Sequence, residues 1–438
     1  MKGSNAMSKS PSYCVLPFIH FALKPNGNAK PCCRFATSVE GEDDRNWHKL
    51  NHNKIGTTEV MNSAAFKQVR QAMLSGDVVP GCWKCVKEEK SAGYSMRTFY
   101  NQQYKDFVPN KTELRYLEVS FGNYCNLSCR TCNSGLSTTW YEDDVKLSKV
   151  YNNILAEEKI IEIPFNWKTD DFSTVNEIKF VGGEPMLNPN FNKFLETLLA
   201  AGRGDHTRLT IFSNSSWFPK QKTIDMLKKF KQVTIWLSID AYGKKNDYIR
   251  NKSEWSVLSK CAEKWLDLEM QHKNLGVVLT PTLNFLNIQT AEQLVDWWID
   301  NRISRNLGFF SRPEDATVYN SGDVVFSSVY DPEAYSLRHV PNKKELIKKY
   351  TEIVDTYSKE TYTEPQHATI TRTYLKISSM LNKDLDKEVD LSKFIEHTKD
   401  LDLLRNQNFK DTFPEVYEVV SKELARKNLT YDDFNGRL

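Results

Sequence analysis

The chain has 438 residues, of which 40% are hydrophobic, 12% aromatic and 26% charged, a balance that indicates a globular protein with a sizeable core and excludes a disordered chain. The formal net charge is only +3, so nucleic-acid binding driven mainly by phosphate neutralisation is not indicated. No apolar run reaches the ~18 residues of a membrane span, and the N-terminus lacks the apolar segment of a signal peptide, which predicts a cytoplasmic location.

Two kinds of sequence pattern follow one another along the chain. Residues 10–100 are predicted to be irregular, apart from a helix near Ala64–Leu74. From Glu113 onward, short apolar strands alternate with amphipathic helices. The predicted strands are Leu114–Phe121, Glu177–Val181, Arg208–Phe212, Val233–Asp240, Gly276–Leu283 and Leu307–Phe310. The predicted helices between them are Phe191–Leu199, Lys220–Phe230, Ser253–Asp267 and Ala291–Ile303, and an insertion, Tyr141–Asp171, is predicted to form a lid or a capping helix.

Six strands that alternate with helices imply parallel βαβ units, and six are too few for a standard eight-stranded barrel. The predicted fold is therefore α/β, a partial (β/α)6 TIM-like barrel with a small N-terminal Cys-rich domain and a helical C-terminal extension. The predicted domains are 8–105, 106–320 and 321–438. Polar surface helices are predicted in the last of these, at Lys343–Tyr357, Leu391–Thr398 and Glu415–Lys427. In such sheets the active site lies at the C-terminal ends of the strands.

Eight of the nine cysteines lie in the first 132 residues. Cytoplasmic cysteines stay reduced, so metal binding or catalysis is favoured over disulfides. The ninth, Cys261, is interpreted as a buried core residue. No catalytic side chain is assigned, because none of the eight histidines falls in a metal or base motif.

A compact cysteine motif directly follows the first predicted strand of the alternating series. It reads Cys125-Asn-Leu-Ser-Cys129-Arg-Thr-Cys132. Three thiolates on one loop can hold three irons of a [4Fe–4S] cluster and leave the fourth iron open, as a catalytic site requires. The alternative is a structural zinc site that takes its fourth ligand from elsewhere.

This motif, at the end of the first strand of a six-fold βα chain, resembles that of the radical S-adenosylmethionine (SAM) superfamily. The resemblance covers about Glu113 to Arg312. The second strand ends in Gly182-Gly183-Glu184-Pro185, and two glycines allow close backbone approach to a ligand. In the family this turn binds the methionine amino group.

Later strand ends extend the resemblance. The third strand ends in Ser213-Asn214-Ser215 and the fourth in Ser238-Ile-Asp240, with Arg250 downstream. The resemblance implies SAM-binding roles for these residues, with Ser238 and Arg250 near the ribose and carboxylate; a surface salt bridge is the alternative for Arg250. Ser215 departs from the family's glycine, and Thr131 from its frequent aromatic residue. The complete implied SAM-binding set is Gly182, Gly183, Glu184, Ser213, Asn214, Ser238, Asp240 and Arg250.

The N-terminal cysteines form a second pattern. Cys14, Gly27 and Cys32 are spaced C-x12-G-x4-C, and Cys82 and Cys85 form C-x2-C. These spacings resemble the twitch module, a shorter relative of the SPASM module, which holds one auxiliary [4Fe–4S] cluster in radical SAM enzymes. The resemblance implies a domain whose auxiliary cluster is held by Cys14, Cys32, Cys82 and Cys85. Cys33 could replace Cys32, and a structural zinc site is again the alternative.

The combined resemblance implies a radical SAM oxidoreductase or modifying enzyme with two [4Fe–4S] clusters. Such an enzyme cleaves SAM reductively, and the 5′-deoxyadenosyl radical abstracts hydrogen from a substrate. A peptide or protein is the favoured substrate; a carbohydrate, nucleotide or small metabolite is the alternative. The expected electron donor is a reductase such as flavodoxin or ferredoxin. The auxiliary cluster would bind substrate, accept an electron or relay one. A zinc-stabilised binding protein is the alternative from a different class.

Overall fold

The computed structural model describes residues 10, 12–36, 50–109, 111–151, 158–161, 163–307, 324–357, 362–383 and 385–438. Over these ranges the strands are β1 (His20–Leu23), β2 (Ala29–Lys30), β3 (Tyr116–Ser120), β4 (Glu177–Val181), β5 (Arg208–Ser213), β6 (Gln232–Leu237), β7 (Leu275–Leu279), β8 (Thr282–Leu283) and β9 (Ser327–Ser328). The helices are α1 (Leu16–Ile19), α2 (His52–Met61), α3 (Ala64–Ser75), α4 (Trp83–Ala92), α5 (Met96–Gln103), α6 (Tyr141–Tyr151), α7 (Pro189–Ala200), α8 (Gln221–Leu227), α9 (Lys244–Ile249), α10 (Trp255–Gln271), α11 (Ala291–Ile303), α12 (Lys343–Glu352), α13 (Glu364–Asn382), α14 (Ser392–Arg405), α15 (Phe409–Thr412) and α16 (Pro414–Ala425).

The central sheet has the strand order β2-β1-β3-β4-β5-β6-β7. β3 pairs in parallel with β1 and β4, and β4 pairs in parallel with β5, whereas β1 and β2 form an antiparallel hairpin. These pairings confirm an α/β fold built on parallel strands. Five of the six predicted strands are present as β3 to β7, and the sixth, Leu307–Phe310, lies outside the described residues except for Leu307.

One predicted strand is divided in two. The segment expected at Gly276–Leu283 forms β7 and, after Pro281, β8, which pairs in parallel with β9 in a separate small sheet. Proline lacks the N–H that would continue the hydrogen-bond ladder. The first part of the insertion between β3 and β4 is helix α6; residues 152–157 and 162 of it are outside the described ranges.

The N-terminal region is more regular than predicted: the helix expected near Ala64–Leu74 is confirmed as α3 (Ala64–Ser75), and the prediction that the rest is irregular is wrong. It contains α1 to α5 and the hairpin β1–β2, whose turn places Gly27 at φ +80° with its N–H bonded to the Lys24 carbonyl (2.8 Å). β1 is four residues long and wholly buried, so it shows no alternation of apolar and polar residues. Its pairing with β3 adds it to the parallel sheet.

Helices α12, α14 and α16 form where the sequence predicts helices, whereas α13 (Glu364–Asn382) was not predicted, and none of the four is simply a surface helix. Their inner faces share one apolar core with Trp140, and large members of this core between the start of α12 and the start of α16 are Tyr350, Tyr374, Phe394, Phe409 and Phe413. In the sequence these aromatic residues are separated by charged ones. A helix that buries only one apolar face therefore has a polar average composition.

The chain divides into two compact units, each of which is described by itself. The first comprises Met1–Tyr124, Ile160–Ile211 and Gln221–Val233; the second comprises Cys125–Lys159, Phe212–Lys220 and Thr234–Leu438. The domain limits 8–105, 106–320 and 321–438 stay predictions. None of the described helices combines the length and apolar character needed to cross a membrane.

Candidate functional site

The cysteine loop of the second unit is held by side chains that follow it in the chain. Thr138 Oγ1 donates to the carbonyl of Cys125 (3.0 Å), and Trp140 Nε1 donates to the carbonyl of Cys129 (2.6 Å). The thiols of Cys125, Cys129 and Cys132 are reduced, and each residue is partly exposed. The loop is therefore fixed through backbone carbonyls of two of its cysteines.

The same loop rests on the turn that carries Arg250. The backbone N–H of Ser128 donates to the carbonyl of Asn251 (3.0 Å), and that of Arg130 donates to the carbonyl of Ile249 (2.7 Å). These two bonds connect the backbone on either side of Cys129 to the backbone on either side of Arg250. The turn and the cysteine loop consequently form one rigid structure.

Arg250 is buried beside the loop and pairs with Asp240. Its Nη1 lies 2.7 Å from Asp240 Oδ2, and Asp240 Oδ1 accepts a hydrogen bond from the N–H of Thr282 (2.8 Å). Burial lowers the pKa of Arg250, but the facing Cys129 and Asp240 outweigh this, so the pKa is raised overall. The side chain is 11% exposed, which excludes the alternative of a surface salt bridge.

Arg250 also has an unused donor. Its Nε is buried and has no hydrogen-bond partner among the described residues. A buried donor without a partner costs free energy, so such an atom indicates a missing acceptor. A ligand carboxylate is a suitable acceptor for a guanidinium.

Asn214 lies against the cysteine loop. Its Nδ2 is 3.7 Å from the Cys125 sulfur and 2.9 Å from Asn126 Oδ1, and its Oδ1 accepts from the N–H of Ser216 (3.0 Å). The amide is therefore oriented with its donor towards the thiol. Its neighbour Ser213 is buried, and the Ser213 carbonyl accepts from the N–H of Ser238 (2.8 Å).

Ser215 explains one departure from the family pattern. It has φ +58°, in the left-handed region that glycine adopts most easily, and its N–H donates to Ser213 Oγ (3.2 Å). A serine thus adopts here a backbone conformation that usually favours glycine. The side chain of Ser213 is used inside this turn.

The glycine-glycine-glutamate turn lies in the first unit, at the end of β4. Gly182 and Gly183 have φ of +79° and +54°. A Cβ would lie 2.1 Å from Ser120 Oγ at Gly182 and 2.3 Å from the Tyr124 carbonyl at Gly183. The N–H of Glu184 donates to the same carbonyl (2.8 Å), and Glu184 is 2% exposed. The glycines are therefore required by packing against the end of β3; close approach to a ligand is not needed to explain them.

The comparison with protein families concerns this part of the chain. Residues 119–297 match the family model of the Radical SAM superfamily. This segment is a radical SAM domain. It contains the cysteine motif, the glycine-glycine-glutamate turn, and the residues at the ends of β5 and β6. No curated protein matches the chain in sequence.

The solved structures that match the chain are distant. Streptococcus suis SuiB bound to precursor peptide SuiA is 14% identical, with a TM-score of 0.35, and the match covers 67% of this chain and 52% of that one. The structure of histidine-tagged anSMEcpe with bound AdoMet is 15% identical, with a TM-score of 0.36, and coverages of 56% and 60%. The matched region thus spans about half to three fifths of these structures. Such similarity transfers neither substrate nor partner.

Outside the radical SAM domain, four predicted cysteine ligands meet in the first unit. A small cavity is lined by ten residues, among them Cys14, Cys32, Cys82 and Cys85. Burial raises the pKa of Cys14, and the neighbouring Cys82 and Cys85 raise it further. Cys33 does not line this cavity; its sulfur lies 3.8 Å from Met96 Sδ. The cavity therefore favours Cys32 over Cys33.

Burial raises the thiol pKa at some of the cysteines in both groups and so favours their protonated form. Burial raises the pKa of Cys129 to about 11, and burial followed by the two neighbouring thiols raises that of Cys132. Within the described ranges, no three Cys, His, Asp or Glu side chains are arranged to share one metal ion. A [4Fe–4S] cluster instead takes each thiolate on a separate iron, and its positive irons favour the thiolate form. The donor chemistry fits such a cluster at both places.

Sequence reasoning missed Arg130, which lies between two cysteines of the loop. Its guanidinium is fully buried, forms an ion pair with Asp402, donates to Gln407 Oε1 (2.8 Å) and Tyr335 OH (3.2 Å), and stacks on the Tyr248 ring (3.7 Å). Three of these partners follow in the chain by more than 200 residues. From the sequence alone, an arginine within a cysteine motif is expected to be a solvent-exposed charge, and no local pattern identifies its partners.

Proposed function

We propose that this protein is a radical SAM enzyme whose catalytic [4Fe–4S] cluster is held by Cys125, Cys129 and Cys132. The observation that carries this proposal is the buried Arg250 beside the cysteine loop, with Nε left for a ligand acceptor, inside a segment that matches the Radical SAM family model. When bound, the cluster supplies the electron that cleaves SAM, and the resulting 5′-deoxyadenosyl radical abstracts hydrogen from the substrate.

The chain's own residues bind and orient the ligand in this proposal. Arg250, fixed by Asp240, binds the carboxylate of SAM, and Ser238 lies towards the ribose. Glu184 and the glycine turn accept the methionine ammonium, since a carboxylate and backbone carbonyls are acceptors. Asn214 Nδ2, which is 3.7 Å from the Cys125 sulfur, orients the loop at one ligand. Ser213 keeps the β5 turn in place.

The N-terminal cavity is proposed to hold an auxiliary [4Fe–4S] cluster in a twitch-like domain. Four cysteines line it, and Arg34 and Arg97 lie at the same cavity. Four thiolates on a [4Fe–4S]²⁺ core give a net charge of about −2, which the two guanidiniums offset only in part, because each is also paired with a glutamate of α4. With four protein ligands, this cluster has no open iron, so electron transfer is favoured over substrate binding.

Iron analysis and SAM cleavage test the two sites separately. The anaerobically reconstituted protein should contain about eight irons and eight sulfides per chain. Replacing Cys125, Cys129 and Cys132 by Ala should halve both values and abolish dithionite-driven release of 5′-deoxyadenosine. Replacing Cys82 and Cys85 by Ala should remove the other half. Zinc in the purified protein, or an unaltered rate in the triple variant, would contradict the proposal.

For the substrate we propose a peptide or protein, because the N-terminal cysteine pattern resembles a module that is frequent in peptide-modifying enzymes. The reaction would take place in the cytoplasm, with flavodoxin or ferredoxin as electron donor. With dithionite in excess as the reductant, a cell extract should stimulate 5′-deoxyadenosine release, and protease digestion of the extract should abolish this effect. Stimulation that resists protease would instead favour a carbohydrate, nucleotide or small metabolite.

A further inference from the structure

Helix α4 of the first unit has an exposed face that is both basic and apolar. Trp83 is 47% exposed and Val86 39%, and the lysines of the same helix are all exposed. We call this surface the α4 face; its residues are Trp83, Lys84, Val86, Lys87 and Lys90. Its formal charge of +3 equals that of the whole chain, so the rest of the chain is formally neutral.

The acidic residues of α4 do not reduce this charge, because each is paired with an arginine. Glu88 forms an ion pair with Arg34, and Glu89 accepts a hydrogen bond from Arg97 Nε (2.9 Å). Both glutamates are partly buried. The helix thus separates its charges: its carboxylates neutralise the arginines at the four-cysteine cavity, and its lysines point to solvent.

The same helix carries two of the cavity's cysteines. Cys85 is buried, two residues after Trp83 and two before Lys87, and therefore lies on the opposite side of the helix. Cys82 directly precedes α4. The α4 face is consequently separated from the four cysteines by the thickness of one helix.

We propose that the α4 face is the docking surface for a protein reductant with an acidic binding surface, of the flavodoxin or ferredoxin class. This rests on the proposed function of the four-cysteine cavity. Electron-transfer partners use small interfaces of less than ~1,200 Å², with aromatic residues at the centre and charges at the rim. Trp83 and Val86 form the apolar centre, and the three lysines accelerate encounter with an acidic partner. In each encounter the partner loses one electron and the auxiliary centre gains one.

The first test is binding of oxidised flavodoxin to the full-length reconstituted protein. Changing Lys84, Lys87 and Lys90 to Glu should raise the Kd at least about tenfold at low salt, because each exposed charge pair contributes ~0.2–1 kcal/mol and reversal replaces attraction by repulsion. The corresponding Gln variant should give an intermediate Kd. Trp83→Ala should weaken binding at all salt concentrations without changing the salt dependence.

The matched control is a Glu triple variant at Lys220, Lys229 and Lys231, which are equally exposed and outside both sites. It changes net charge by the same amount and should bind flavodoxin as the wild type does. Equal affinities of the α4 and control variants would overturn the proposal. It would also be overturned if the wild type bound neither flavodoxin nor ferredoxin and the α4 face instead bound an acidic peptide or a nucleic acid.

Reduction kinetics distinguish this proposal from the proposed function. In the α4 variant, 5′-deoxyadenosine release driven by reduced flavodoxin should fall at least about tenfold, whereas release driven by dithionite, a small reductant, should persist. If dithionite gives no release even from wild type, the proposed function fails, and the binding measurement still decides the docking surface. If flavodoxin drives both proteins equally, the docking surface is wrong and the enzyme assignment stands.

Discussion

The buried ion pair between Arg130 and Asp402 should control the rigidity of the cysteine loop. Arg130 has a fully buried side chain, and Asp402 is the only carboxylate among its bonded partners in the described part of the chain. Asp402 also accepts from Tyr248 OH (2.6 Å) and from the N–H of Phe409 (2.7 Å). Asp402→Asn keeps the size of the side chain, but it leaves the guanidinium without its counter-charge and replaces one accepting oxygen by an NH₂ donor.

Breaking a buried ion pair on one side costs about 3–5 kcal/mol. Because the pair connects the loop to α14 (Ser392–Arg405), we expect this cost to appear as local opening of the loop, by a factor of roughly a hundred or more. Hydrogen–deuterium exchange at the amides of Ser128 and Arg130, both bonded to the 249–251 turn, measures it directly. Arg130→Lys should not restore protection, because a point charge cannot bridge the same set of acceptors.

A second buried ion pair provides the control. Arg302 is bonded through both Nη atoms to Glu269 (3.0 and 2.9 Å), with side chains 1% and 8% exposed. Glu269→Gln should destabilise the protein to a similar degree without faster exchange at the loop. The reasoning is refuted if Asp402→Asn leaves the loop amides within about tenfold of wild type, or if Glu269→Gln exposes them equally.

Three further outcomes follow from single side chains. Arg250→Ala should weaken SAM binding about ten- to a hundredfold in titrations of reconstituted protein, while the iron content is retained. Asp170 is exposed, so the control variant Asp170→Ala should bind SAM normally. Normal binding by Arg250→Ala would remove that residue from the site. Gly183→Ala should lower the urea midpoint more than Gly202→Ala, since both have positive φ but only Gly183 places a Cβ against a carbonyl; equal losses would contradict this. Burial lowers the pKa of His20 from 6.5 to about 4, so the buried neutral ring contributes about 3 kcal/mol to the free energy of unfolding above pH 6.5, and this contribution is lost as the pH falls towards 4. His20→Phe should therefore flatten this part of the curve of stability against pH. An unchanged curve would refute this reasoning.

The parts of the fold that depend on local pattern could be read from the sequence. β4 (Glu177–Val181) and α11 (Ala291–Ile303) have the predicted bounds, because alternation and a helical apolar stripe are local signals. The match of residues 119–297 to the Radical SAM family model agrees with the family that the cysteine motif and the later strand ends resemble. The roles of the SAM-binding residues stay predictions.

Tertiary structure decided the features that join distant segments. β1 joins β3 across about 96 residues, through pairs such as His20 with Tyr116, and no periodicity within four buried residues identifies that partner. Arg130 and Asp402 are 272 residues apart, so their pairing depends on α14 packing beside the loop. The requirement for glycine at 182 and 183 likewise comes from the end of β3 and not from the turn alone. Periodicity reports which face of an element is buried; which element covers that face is set by the whole chain, because packing and charge pairing act between surfaces that meet only after folding.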